Sequence, residues 1–171
     1  MTSVTVVVDD LAFFDGDAVV RPVTATLGAP TALLRRLESA AGPDLAAQLR
    51  LTEPLAVGSA IVTGAGRLAA GFLVHAVVAS AEEPVSAGSV RRALLSALER
   101  AEGWALADVA VPPFGLGAGN LDIEESARVT AETLAQHARR GARHPERATV
   151  ITESDDEADA FRWALERSGL A

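Results

Sequence analysis

The 171-residue chain is 49% hydrophobic and 22% charged, with a formal net charge of −8 and no cysteine. That length and apolar content suit one globular domain over residues 1–171, while the lack of cysteine excludes disulfides, thiolate catalysis and zinc-thiolate centres. The acidic balance opposes non-specific nucleic-acid binding, which draws on neutralised phosphates, and since all 15 basic residues are arginine, Schiff-base chemistry and a Walker lysine are excluded too. No apolar run approaches transmembrane length and no basic-then-apolar signal opens the sequence, which predicts a soluble cytoplasmic protein with no membrane partner.

In chain order, Val4 to Val8 is a β-branched run halted by Asp9 and Asp10, and Ala18 to Val20 is a second strand after the turn-like Asp15-Gly16-Asp17. Arg21-Pro22 is expected to end that strand, because proline cannot donate to a ladder. A helix follows, with Leu33, Leu37, Ala40 and Ala41 at helical spacing and Arg35, Arg36 and Glu38 facing away; Gly42-Pro43 stops it. A shorter helix spans about 44–50. Ser59 to Thr63 and Phe72 to Val78 read as strands joined by a glycine turn at 64–67. Ser89 is placed to cap a long helix buried through Val90, Leu94, Ala97, Leu98 and Ala101 and ended by Gly103. After a strand at 109–111, a helix starting at Asp122 buries Ile123, Ala127, Ala131, Leu134 and Ala138. A last strand at 148–151 precedes a helix capped by Ser154 and buried through Ala158, Phe161 and Leu165. This alternation predicts a three-layer α/β/α sandwich with a mixed, largely parallel sheet and ligands at the C-terminal strand ends.

The stretch most suggestive of chemistry is PPFGLGAGN at 112–120, between a buried strand and a helix. Gly115, Gly117 and Gly119 alternate with Leu116 and Ala118, so the backbone is free to take positive φ and present bare N–H groups. Beside a helix N-terminus such a loop suits phosphate oxygens. A plain flexible turn is the competing reading.

The order of motifs resembles the macro domain family, ADP-ribose-binding α/β/α modules, and most of all its small stand-alone bacterial members. The likeness rests on VPPFGLGAGNLDIEESARV at 111–129, VGSAIVTGAGRLAAGFLVHAVV at 57–78, SAAGPDL at 39–45, DAVV at 17–20 and the strand ending at Asp10. The resemblance implies that Asp10, seven residues before Asp17, accepts a hydrogen bond from the adenine amino group, with Leu11 at the base of the site. An acceptor-only carboxylate suits an exocyclic amine; the alternative is a solvated turn carboxylate. It also implies that Gly115, Leu116, Gly117, Ala118, Gly119 and Asn120 wrap the diphosphate and distal ribose.

The departures are equally specific. Where the family has Asn-Ala-Ala-Asn, this chain has Arg21, Pro22, Val23 and Thr24, so the Asn that orients the distal ribose, and is tied to catalysis in hydrolytic members, is replaced by Thr24. Of the family's first glycine-rich loop only Gly28 survives, followed by Ala29, Pro30, Thr31 and Ala32, whose Cβ atoms and missing N–H crowd a pyrophosphate. Glu153 stands where the family offers an aromatic ring to adenine; Phe13 or Phe14 could substitute.

Three other features carry less. His75 lies in an apolar strand with no recognisable triad. Asp9, Asp10, Asp15 and Asp17 match no calcium loop, so no metal and no cofactor are expected. His137 and His144 with Arg139, Arg140, Arg143 and Arg147 form a basic patch near a helix C-terminus, where cations are favoured; a nucleic-acid partner is not expected.

Two functions follow as expectations. One is a module that binds ADP-ribose or a related nucleotide, without hydrolysis; the other is a degenerate macro domain with a partly filled pocket, serving as a homo-oligomer or interaction scaffold. In a third reading, Arg21 at a strand end binds a phosphate or carboxylate bidentately and selects a different ligand.

Overall fold

A computed structural model describes residues 2–51, 53–117 and 120–170. Its centre is a six-stranded sheet built from β1 (Ser3–Val8), β2 (Ala18–Thr24), β3 (Ala60–Gly64), β4 (Phe72–Ala79), β5 (Asp108–Val111) and β6 (Arg147–Thr152). The spatial order is β1-β6-β5-β2-β4-β3; every neighbouring pair is parallel except β3 with β4. The helices are α1 (Ala32–Ala41), α2 (Pro43–Gln48), α3 (Ala87–Gly103), α4 (Ile123–Arg139) and α5 (Asp155–Ser168), with one 3-10 turn at Leu11–Phe13. Among the described residues no helix is long and apolar enough to cross a membrane.

Strand alternation divides the apolar side chains between the two faces. Val19, Leu73, Ala110 and Ile151 pack with Leu34, Leu37 and Ala41 of α1 and Leu45 of α2. Their chain neighbours Val20, Val74, Val109 and Val150 pack on the opposite face with α3, α4 and α5, through Leu94, Leu98, Leu134 and Phe161. The α/β/α sandwich expected from the alternation is the observed architecture.

Several local expectations need correction. Strand β2 does not stop at Arg21-Pro22 but runs to Thr24 beside β4. Pairing with β5 is confined to Ala18 and Val19, so beyond them β2 has a ladder partner on one side only, and a proline nitrogen facing the free side forfeits no hydrogen bond. Helix α3 begins three residues earlier than expected: Ser86 is the cap, and Ser89 is its reciprocal partner, with Ser89 N–H donating to Ser86 Oγ at 3.0 Å and Ser86 N–H to Ser89 Oγ at 2.9 Å. In α1 the buried positions are Leu34, Leu37 and Ala41, while Ala40 is exposed. In α4, Ile123 and Ala138 are only half-buried, because flanking α3 and α5 shift burial to Ser126, Val129, Thr130 and Thr133.

Packing fixes glycine at the β3–β4 turn. Gly66 has φ +60°, and a Cβ there would lie 2.2 Å from the Ala41 carbonyl oxygen, locking the β3–β4 turn against the end of α1.

Candidate functional site

Because five strands run the same way, their C-terminal ends collect at one edge of the sheet, as in other open α/β folds. At that edge a cavity of about 230 Å³ opens between two loops. Pro30, Thr31, Ala32, Leu33 and Leu34, at the start of α1, form one wall. Pro113, Gly115, Leu116 and Gly117 form the other, and Pro22, Val78 and Val85 lie at the base. Arg36, Glu153 and Glu157 supply its charge.

The second wall has the backbone its sequence suggests. Gly115 has φ +83° and Gly117 φ +72°, a region that favours glycine. The two glycines differ in their reasons. A Cβ on Gly115 would strike the Leu121 side chain at 2.6 Å, so packing beneath the loop demands glycine there. A Cβ on Gly117 would meet the Thr31 side chain, with Cγ2 at 3.3 Å across the cleft, which places the two walls in near contact. The loop is tied down from behind: Asn120 Nδ2 donates to the Val85 carbonyl at 2.7 Å and Ser126 Oγ to the Phe114 carbonyl at 2.6 Å. Asn120 thus holds the loop rather than lining the cavity. Ala118 and Gly119 lie outside the described residues.

The remaining expected residues are dispersed. Asp10 follows β1 at the same edge of the sheet, but the end of β6 intervenes, since Asp9 N–H donates to the Thr152 carbonyl at 3.1 Å. Its exposed carboxylate accepts from Ala12 N–H at 2.9 Å, capping the 3-10 turn, and it does not line the cavity. Leu11 is buried in the core beneath α1. Phe13 is 75% exposed, and neither it nor Phe14 lines the cavity. Thr24 Oγ1 accepts from Gly28 N–H at 3.1 Å, and both residues stand apart from the cavity wall.

Arg21 departs most from its expected place. It sits inside β2, not at a strand end, wholly buried under α1. Its guanidinium lies 2.5 Å from Glu38 Oε2 and donates to His75 Nδ1 at 3.1 Å, while its Nε has no partner. The Thr63 hydroxyl donates to the Gly64 carbonyl at 2.9 Å, so its oxygen accepts from His75 Nε2 at 2.7 Å. Donor bookkeeping therefore puts the His75 proton on Nε2. Burial, reinforced by the facing guanidinium, lowers the His75 pKa to about 3. Arg21 is thus committed to an internal chain, Glu38–Arg21–His75–Thr63, linking α1 to β2, β4 and β3, and it cannot reach a ligand in the cavity. Glu38, read from the sequence as facing away, is the residue that neutralises it.

Several members of the acidic and basic clusters are also held in internal contacts. Asp17 accepts from Ala107 N–H at 2.6 Å and Asp108 N–H at 3.0 Å, and no metal-binding group of carboxylates and histidines occurs among the described residues. His137 is buried with its Nε2 2.8 Å from the His144 carbonyl, and Arg140 and Arg147 are paired with Glu99 and Asp108.

The site residue that sequence reasoning missed is Arg36. Its spacing places it on the solvent face of α1, yet it borders the cavity and forms an ion pair with Glu153 at the end of β6. Proximity of the two across 117 positions has no local signature.

Comparison with known proteins agrees with this geometry. The Macro domain family model matches residues 25–130. A macro domain-containing protein of Streptomyces coelicolor is 31% identical over 147 residues, covering 79% of this chain and 84% of the relative. An uncharacterized Mycobacterium tuberculosis protein is 24% identical over 128 residues, 75% of this chain but only 36% of the relative, so the chain spans about a third of that protein's length. In structure, the Oceanobacillus iheyensis macrodomain with ADP superposes with a TM-score of 0.82 at 19% identity, covering 95% of this chain and 89% of that one. The macro domain of ganglioside induced differentiation associated protein 2 gives 0.83 at 19%, covering 97% and 84%. With a family model spanning β3, β4, β5 and both cavity walls, and a relative of the same length class identical at nearly a third of the aligned residues, the chain belongs to the macro domain family.

Proposed function

We propose that residues 1–171 act as one macro domain that binds ADP-ribose or a related nucleotide or phosphate metabolite, as a receptor and not as a hydrolase. The observation that carries this reading is the pair of positive-φ glycines, Gly115 and Gly117, on a loop facing the start of α1 across a cavity at the C-terminal edge of the parallel sheet. Gly117 is exposed and Gly115, though buried, lines the cavity, so we assign the backbone N–H groups of this loop to phosphate oxygens. Structural neighbours crystallised with ADP support the ligand class. The free oxygen of Asp10 is the group we assign to the adenine amine, with Leu11 beneath it. Binding without turnover is supported by Thr24, which stands where hydrolytic members carry Asn and whose hydroxyl is already engaged by Gly28. Calorimetric titration with ADP-ribose tests the reading: heat at micromolar ligand is expected, and its absence at millimolar ligand would overturn it.

A second reading, an interaction scaffold, is favoured by the small cavity and by an open sheet edge. About 230 Å³ falls below the roughly 300 Å³ at which ligand pockets ordinarily begin. Strand β1 ends the sheet, has no charge or proline within Ser3–Val8, and exposes Val7 and Val8, whereas edge strands are usually blunted by such residues. Light scattering that finds a dimer, together with silent calorimetry, would select this reading.

A further inference from the structure

We infer that Arg36 is the phosphate anchor of this cleft and that Glu153 holds it in reserve, acting as an internal competitor for the anion. The inference rests on the ligand reading above and adds to it the residue that takes the charge.

The first cavity wall offers a diphosphate little bare backbone. Pro30 has no N–H, and Thr31 and Ala32 bring Cβ atoms to the lining. A cation on the same wall compensates for missing donors. Arg36 lies about one turn into α1 from the lining residues Thr31, Ala32 and Leu33, and its planar guanidinium is suited to bidentate contact with phosphate oxygens.

In the free protein this guanidinium is paired with Glu153, which follows the last residue of β6. The pair joins the α1 wall to the β6 end across the cavity rim. Both side chains are about half exposed, 59% and 48%, so the pair is weak and exchanges readily. Glu157, the other lining carboxylate, accepts from Glu153 N–H at 2.9 Å, and among the described residues the ion-pair partner of Arg36 is Glu153. An entering phosphate therefore takes Arg36 from Glu153, whose carboxylate turns to solvent at little cost. Two consequences separate this arrangement from a merely structural ion pair. Glu153 lowers affinity for anionic ligands, through competition and through repulsion, and it leaves uncharged ligands unaffected.

The test is calorimetry with ADP-ribose and, as a neutral control, adenosine, on the parent, Glu153→Gln, Arg36→Gln and the double variant, with thermal melts to confirm folding. Glu153→Gln is expected to bind ADP-ribose up to about fivefold more tightly, and Arg36→Gln about tenfold or more weakly, as for loss of a charge-assisted contact. In the Arg36→Gln background the gain from Glu153→Gln shrinks, and adenosine responds to none of the changes. If the parent binds and Glu153→Gln does not tighten it, or Arg36→Gln binds as the parent does, the inference falls while the ligand reading stands. A parent silent at millimolar ADP-ribose with a binding Glu153→Gln variant supports the inference while overturning the reading of the parent as a receptor. Silence from all four proteins at millimolar ADP-ribose overturns both.

Discussion

Acidification should destabilise this protein through His75 in a way that one substitution isolates. The ring is wholly buried, its Nδ1 accepts from Arg21 and its Nε2–H donates to Thr63. Protonation would put a second donor and a second positive charge against the guanidinium. With a folded pKa of about 3, against an ordinary value of 6.5, the unfolded chain binds the proton first as pH falls. The stabilising contribution is therefore complete above pH 6.5, declines by about 1.4 kcal/mol per pH unit below it, and is exhausted near pH 3. Between pH 6.5 and 4.5 the loss is about 3 kcal/mol, a large share of a typical stability of roughly 5–15 kcal/mol. The assay is urea unfolding of the parent and His75→Gln at pH 7.5, 6.5, 5.5 and 4.5. Carboxylate titrations are common to both proteins and cancel in the difference. Although the variant is weaker at pH 7.5, its stability should fall less steeply by about 1.4 kcal/mol per unit below pH 6.5. Parallel curves for the two proteins would refute the assignment of a neutral, buried His75.

Three further outcomes concern the cleft. Gly117→Asp should fold and lose ADP-ribose binding, because it sets a Cβ at positive φ facing Thr31 and a carboxylate against phosphate; calorimetry at parent affinity would reduce the loop to a turn. Asp10→Asn keeps an oxygen for the Ala12 N–H cap while removing the charged acceptor, so it should weaken adenine-containing ligands by about 1.5–3 kcal/mol without altering the melting temperature and leave ribose phosphates unaffected. Incubation with O-acetyl-ADP-ribose should yield no product above buffer, given Thr24 in place of the catalytic Asn; protein-dependent turnover in a chromatographic assay would overturn the receptor assignment.

What the sequence determined by itself is local. Strand and helix positions follow from the spacing of apolar residues, the Ser154 and Asp122 caps from side chains that satisfy N–H groups three residues on, and the character of the 112–117 loop from glycines that admit positive φ. Each depends on a few neighbouring residues, and so does the order of motifs that identifies the family. Tertiary structure decided everything that joins distant segments. It carried β2 through Pro22 because β5 had already left its side, buried Arg21 because Glu38 and His75 arrived from α1 and β4, and fixed the tautomer of His75 through Thr63 on β3. Arg36 reads as a solvent-facing charge and Glu153 as a residue in the place of an aromatic ring, and only the convergence of α1 with the end of β6 makes them the rim of one cleft. The physical reason is the same in each case: a charged or polar side chain takes its role from the partner that meets it, and chain spacing does not specify partners more than a turn or two away.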